Sequence, residues 1–200
     1  MEDSDRYRHL IEAAFPELEA REIVFLGAGW DNATVLVDGE QVFRFPQRDD
    51  VARALEVERC LLPRLAARLP LPIPRFDFVG GPLPGYPWRF AGYRALPGRP
   101  MAELPAGDIR PERVGHALGA FVRALHDAPV ELAVRCGAAS YTPEGWVERH
   151  WQLVQEILPI VEQTLGMEPA RRLLAFWSEY RSDPRSRQFT PAIVHADLNP

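Results

Sequence analysis

Near the C-terminal end of the sequence, a short apolar run leads into His195-Ala196-Asp197. A carboxylate at the end of a strand-like segment can project into a cleft and accept a hydrogen bond from a substrate hydroxyl, as a general base does. The same pattern suits an Asp that caps a turn, and a bare H-x-D does not separate the two. A second acid is placed less ordinarily. Positions 51, 55, 58, 62 and 65 repeat at helical spacing, and four of them are Val51, Leu55, Leu62 and Leu65. The fifth is Glu58, and an anion inside an apolar stripe loses solvation unless a cation meets it. Arg44, in the alternating run Val42-Phe43-Arg44-Phe45, is the obvious partner. The plainer readings are a Glu58 that reaches water at the edge of the stripe and an Arg44 that lies on the solvent face, opposite Phe43 and Phe45. Gly27 and Gly29 belong to a turn, residues 27–32, between two strand-like runs. With no Cβ in the way, backbone N–H groups there can approach an anion. The pattern also fits an ordinary turn, and because it precedes no helix it is not a dinucleotide-binding one.

Composition narrows the classes. All 23 basic residues of the 200 are Arg, which excludes lysine chemistry, whether a Schiff base or a phosphate-gripping ammonium. The first hundred residues carry 13 Arg against 15 Asp and Glu, the second hundred 10 against 13, for a net charge of −5. A nucleic-acid partner is not expected, whereas a cationic small molecule suits the acidic balance. Cys60 and Cys136 are far apart and form no CxxC, so neither a disulfide framework nor a zinc site is suggested. His9, His116, His126 and His150 show no metal-ligand spacing. The charged N-terminus lacks the apolar core of a signal peptide and no run reaches membrane-spanning length, so a cytoplasmic protein without a membrane partner is expected. The oligomeric state leaves no mark in the sequence.

These side chains need elements to hold them. Ser4 can cap a helix over residues 4–15 with Tyr7, Leu10, Ile11 and Ala14 on one face. Strand-like runs follow at 22–26, 33–37 and 41–45, the last two joined by the hairpin signal Asp38-Gly39. Asp49 and Asp50 open the helix that carries Glu58, and Pro63 is expected to kink or restart it. After a stiff Leu/Pro connector, further strands are expected at 75–79 and 88–95. Beyond residues 96–100 the pattern becomes helical: Pro111 opens a helix with Val114, Leu118, Phe121, Val122 and Leu125 on one side, Thr142-Pro143 opens another interrupted by Pro159, and a third starts near Glu168. The fold class is therefore α+β, with a sheet-containing part over 1–95 and a helical part over 96–200.

The order of parts (glycine turn, strand base, helix acid, Pro/Gly hinge, helices, H-x-D) resembles the protein-kinase-like phosphotransferases of small molecules, and most nearly the aminoglycoside phosphotransferases. FLGAGWDNATVLVDG, QVFRFP, EVERCLLPRL, LPLPIPRF, GYRALPGRP and VHADLNP carry the likeness from residue 22 onward. It implies a two-lobed enzyme in which residues 1–95 form the nucleotide lobe and 96–200 the hinge and part of a helical C-lobe that ends in the catalytic loop. Gly27 and Gly29 would cover the phosphates of ATP or GTP. Arg44 would take the phosphate-pairing position usually held by lysine, with Glu58 holding that cation. Tyr93, Arg94, Ala95 and Leu96 would be the hinge that meets the purine edge. Asp197 would be the catalytic aspartate that takes the acceptor proton, with His195 fixing its loop. The acceptor would be a hydroxyl of a small, cationic molecule such as an aminoglycoside, which implies an antibiotic-resistance role. A macrolide, amino alcohol or sugar kinase, or a nucleotide-binding module without catalysis, is the alternative. The Mg²⁺ ligands expected five residues after Asp197 and beyond fall past Pro200, so the sequence reads as C-terminally incomplete. Slight or no phosphoryl transfer is therefore expected of the 200-residue chain alone; robust turnover in a transfer assay would contradict that.

Overall fold

Alternating apolar residues build the sheet, and aromatic rings fill one face of it. The computed structural model describes residues 2–99 and 101–195. Strands β1 (Ile23–Ala28), β2 (Asn32–Val37), β3 (Gln41–Pro46), β4 (Phe78–Gly80) and β5 (Phe90–Arg94) form an antiparallel sheet in the order β1-β2-β3-β5-β4. Ala33, Val35, Val37, Phe43 and Phe45 are buried, and the strand residues between them only half so. Helix α1 (Glu2–Ala14) supplies Tyr7, Leu10 and Ile11 to the same cluster, together with Phe90. Ring centroids of Phe45 and Phe90 are 4.5 Å apart, and those of Tyr7 and Phe45 4.6 Å. Burying each such side chain favours the fold by roughly 1.5–3 kcal/mol. Ser4 lies inside α1 rather than capping it, because the helix starts earlier in a stretch whose acids suit a helix N-terminus. Between β2 and β3, Asp38 (φ 50°) and Gly39 (φ 70°) are both left-handed, as the expected two-residue hairpin requires.

The opposite face of β3 receives α2 (Asp49–Ala66), which packs against β3 and β5 with Val51 and Leu55 buried. The helix runs through Pro63 without restarting as a second one. Pro63 sits on the exposed side of the last turn, where water can satisfy the carbonyl it leaves unpaired. Leu65 of α2 joins Leu125 of α3 (Pro111–His126) and Ala128 in a second buried cluster, with Phe121 and Ile193 packed against it. Only the C-terminal end of the α3 stripe is covered in this way, and Val114 and Leu118 remain exposed.

A short helix, α4 (Val130–Arg135), follows, and Cys136 at its end is bonded to Cys60 of α2 with Cα atoms 5.5 Å apart. This disulfide corrects the sequence expectation. Its partners lie 76 residues apart, so nothing local announces it, and only the approach of α2 to α4 brings them together.

The described structure divides into two compact units, one running to Ala138 and returning at Ile193, the other Ala139–Ala192. The first unit thus contains elements from both sides of the sheet-to-helix change at 96–100. The second is a pair of packed helices, α5 (Pro143–Leu165) and α6 (Met167–Ser182), joined at Gly166 (φ 90°). Thr142 caps α5 by accepting the Gly145 N–H at 3.1 Å. Pro159 stays within α5, against expectation, again on an exposed face. No helix of the described residues is long and apolar enough to cross a membrane.

Two stability measurements check this packing. Closing a loop of this size is worth about 2–4 kcal/mol, so reduction of Cys60–Cys136 with dithiothreitol should release two titratable thiols and lower the melting temperature by roughly 5–15 °C. At Gly92, an added Cβ would lie 2.4 Å from the ring of the fully buried Phe43. Gly92→Ala should therefore destabilise the protein by about 1–3 kcal/mol in denaturant unfolding.

Candidate functional site

Arg44 lies in the middle of β3, paired across the sheet with Thr34 of β2 and Ala91 of β5. Its neighbours Phe43 and Phe45 point into the aromatic core, so strand alternation sends Arg44 to the other face, beneath α2. There Nη1 donates to Glu58 Oε2 at 2.6 Å and Nη2 to Oε1 at 3.4 Å. The side chains of Arg44 and Glu58 are only 24% and 35% exposed. The acid in the apolar stripe and the base in the strand thus meet as the spacing suggested. A guanidinium has five N–H donors, and with two committed to Glu58 the others can serve a second anion.

Register also brings Tyr93 to this face, because Tyr93 pairs with Val42, two residues from Arg44. Burial pushes its phenol above the usual range; Arg44 works against that shift and Glu58 adds to it. Of the other positions expected to form a hinge, Arg94 closes β5 and is exposed, and Leu96 is 41% exposed. The Ala95 N–H donates to Glu40 O at 2.7 Å and is thereby committed to the protein.

The glycine turn lies at the end of β1. The β1–β2 register shifts between Phe25 and Gly27, and Gly27 has φ 143°, a conformation that favours glycine. A Cβ built on Gly27 or on Gly29 would meet no atom within 4 Å. The surface above both glycines is open to a ligand, which fits a polyphosphate approaching the backbone. The turn is held from behind by residues that the sequence reading does not single out. Gln47 and Arg48, between β3 and α2, bond to it through four contacts: Gln47 N to Asp31 O at 3.0 Å, Gln47 Nε2 to Gly29 O at 3.0 Å, Arg48 Nη1 to Trp30 O at 2.6 Å and Arg48 Nη2 to Asp31 Oδ1 at 2.8 Å; Arg48 also bonds to Asp50 of α2. Asp49 and Asp50 directly after Arg48 are the local signal, and in a linker that pattern does not stand out from ordinary surface charge.

His195 lies in a segment, residues 191–195, without regular secondary structure, so the strand expected there is absent. Ile193 in that segment is tied to the Leu65–Leu125 cluster instead, and His195 is exposed. Asp197 lies outside the described residues. No group of three His, Cys, Asp or Glu side chains among the described residues could hold a metal ion.

Comparison with known proteins places the fold. A match to the family described as "Phosphotransferase enzyme family" (APH) covers residues 22–200. No curated protein sequence matches the chain significantly. Among solved structures, the GDP and kanamycin complex of APH(2")-IIia is similar at 30% identity and a TM-score of 0.79, over 96% of this chain and 64% of that one. The GDP complex of wild-type aminoglycoside 2'-phosphotransferase-IIIa is similar at 28% identity and a TM-score of 0.79, with the same coverage of 96% and 64%. Macrolide 2'-phosphotransferase MphH from Brachybacterium faecium shares the fold at 23% identity and a TM-score of 0.70, over 100% of this chain and 67% of that one. The chain thus spans about 64% of the length of the first two.

The ion pair yields a measurable coupling. In a double-mutant cycle of Arg44→Met and Glu58→Gln followed by denaturant unfolding, a partly buried pair should show a coupling of about 1 kcal/mol. Strictly additive losses would mean that the two side chains do not support each other.

Proposed function

The chain belongs to the phosphotransferase enzyme family, and on that footing we propose that it carries the nucleotide-binding part of a kinase acting on a small, cationic molecule. The observation that carries this reading is the Arg44–Glu58 pair on the sheet face beneath α2, together with the open glycine turn at the end of β1. The donor is ATP or GTP. Its phosphates are gripped by the uncommitted N–H groups of Arg44 and covered by the backbone at Gly27 and Gly29. The planar guanidinium matches two phosphate oxygens at once, a job that a lysine ammonium does as a point charge. Glu58 fixes the guanidinium so that little side-chain entropy is lost when phosphate arrives. The purine lies against the strand-to-hinge segment Tyr93–Leu96, where the committed Ala95 amide leaves recognition to its neighbours.

In the transfer step, an acceptor hydroxyl oxygen forms a bond to the γ-phosphorus as the bond from that phosphorus to the β–γ bridging oxygen breaks. Asp197 orients the hydroxyl and receives its proton, and His195 holds the loop that presents Asp197. Mg²⁺ would neutralise charge on the phosphates when bound, and the described residues bring it no ligand cluster. Kanamycin bound to the 30%-identical relative supports an aminoglycoside acceptor, and the net charge of −5 favours a cationic one. A cytoplasmic enzyme fits this chemistry, since the nucleoside triphosphate is found there. In that reducing compartment the Cys60–Cys136 bond would be open to reduction.

The test has two arms. Calorimetry of the chain with ATP and GTP should show binding to at least one, and the full gene product should transfer the γ-phosphoryl group to kanamycin. Asp197→Asn should lower kcat by roughly 10²–10⁴ while leaving nucleotide affinity within a few fold. Nucleotide binding with no transfer to any aminoglycoside, macrolide or amino alcohol would identify a non-catalytic binding module instead.

A further inference from the structure

Three successive carbonyls of the glycine turn, those of Gly29, Trp30 and Asp31, all point at one dipeptide. Gln47 Nε2 donates to the first at 3.0 Å, Arg48 Nη1 to the second at 2.6 Å, and the Gln47 N–H to the third at 3.0 Å. In a planar trans peptide, the N–H points opposite to the C=O. Carbonyls of Gly29 and Trp30 drawn toward Gln47 and Arg48 therefore turn the N–H groups of Trp30 and Asp31 to the far side of the turn. The connector thus sets the direction in which the turn presents its donors.

Arg48 does a second thing with the same guanidinium. Nη2 donates to Asp31 Oδ1 at 2.8 Å, while Nε and Nη2 reach the two oxygens of Asp50 at 3.1 and 3.2 Å. The cation lies between a carboxylate on the turn and one in the first turn of α2, the helix that carries Glu58. Hydrogen bonding to Arg48 holds the Asp50 carboxyl below the usual carboxylate range. An isolated surface ion pair contributes little, but a forked arginine shared by two carboxylates and a carbonyl restricts geometry as well as charge. Without Arg48, Asp31 would stand as an unbalanced negative charge on a loop assigned to a polyanion.

We propose that Arg48 is a positioning residue for the nucleotide phosphates, holding the carbonyls of the glycine turn away from the ligand and balancing the charge of Asp31. The proposal rests on the reading that this turn covers the nucleotide. It differs from the role of Arg44, because Arg48 acts through the turn and has no contact of its own with phosphate.

The experiment compares the wild type with Arg48→Ala, Arg48→Lys and the double variant Arg48→Ala/Asp31→Asn, measuring affinity for ATP, GTP and adenosine at low and moderate salt. Trp30, 91% exposed at the tip of the turn, gives a fluorescence reading of the loop in each variant, and circular dichroism confirms that each is folded. Arg48→Ala should weaken triphosphate binding roughly tenfold, more at low salt than at moderate salt, and leave adenosine affinity unchanged. The lysine variant should recover only part of the loss, because a point charge cannot serve the carbonyl and both carboxylates together. Removing the Asp31 charge should recover several fold in the alanine background. Unchanged triphosphate affinity in Arg48→Ala, an equal loss for adenosine, or a double variant no better than Arg48→Ala would each overturn the proposal. A wild type that binds adenosine but no triphosphate would overturn the phosphate reading of the turn and this proposal with it, whereas normal triphosphate binding by all variants would overturn this proposal alone.

Discussion

A carboxylate halfway along the apolar face of a helix loses solvation that a cation can offset, and here that cation comes from the middle of a strand. Arg44 and Glu58 meet at 2.6 Å between β3 and α2. The pairing needs both elements in register. Phe43 and Phe45 must be anchored in the aromatic core for Arg44 to emerge on the opposite face, and Val51 and Leu55 must be seated for Glu58 to face the sheet. A one-residue slip of β3 would exchange the faces and put the guanidinium into the core. The hydrophobic core and the polar site are therefore two consequences of one strand alternation.

Helix α2 is also the element to which other parts of the site are referred. At its start, Arg48 links Asp50 to the glycine turn, and the indole N–H of Trp88 donates to Asp49 at 2.7 Å. Two residues past Glu58, Cys60 ties the helix to the end of α4, and Leu65 packs beside Leu125 and Ala128. The helix is thus held at both ends, with the ion pair near its middle. Such fixing from several sides keeps a charged pair oriented without deep burial, since each bond removes freedom that the side chains would otherwise lose on binding.

What was legible in the sequence was whatever depends on local period. The break in the stripe at Glu58, the alternation around Arg44 and the Asp38-Gly39 hairpin are all written in neighbouring residues, and each is found where its spacing put it. Features that depend on distant approach were not legible. The Cys60–Cys136 bond joins elements far apart in the chain, and the clasp by Gln47 and Arg48 is made by a two-residue linker with no pattern of its own. Neither Pro63 nor Pro159 ends its helix: each lies on an exposed side, where water can satisfy the carbonyl left without a partner, and that exposure is invisible in the sequence. The run ahead of His195 reads as a strand from its composition, yet Ile193 is committed to the Leu65–Leu125 cluster rather than to a sheet.

In the proposed function, a chain with no lysine meets phosphate through Arg44 and the backbone N–H groups of the glycine turn. The central claim is that Arg44, held by Glu58, is the group that grips the nucleotide. It is tested most directly by titration calorimetry of ATP and GTP into the wild type and Arg44→Met, each with adenosine as a phosphate-free control. The account predicts at least a roughly tenfold loss of triphosphate affinity with adenosine affinity unchanged. Equal triphosphate affinity in the folded variant would contradict it.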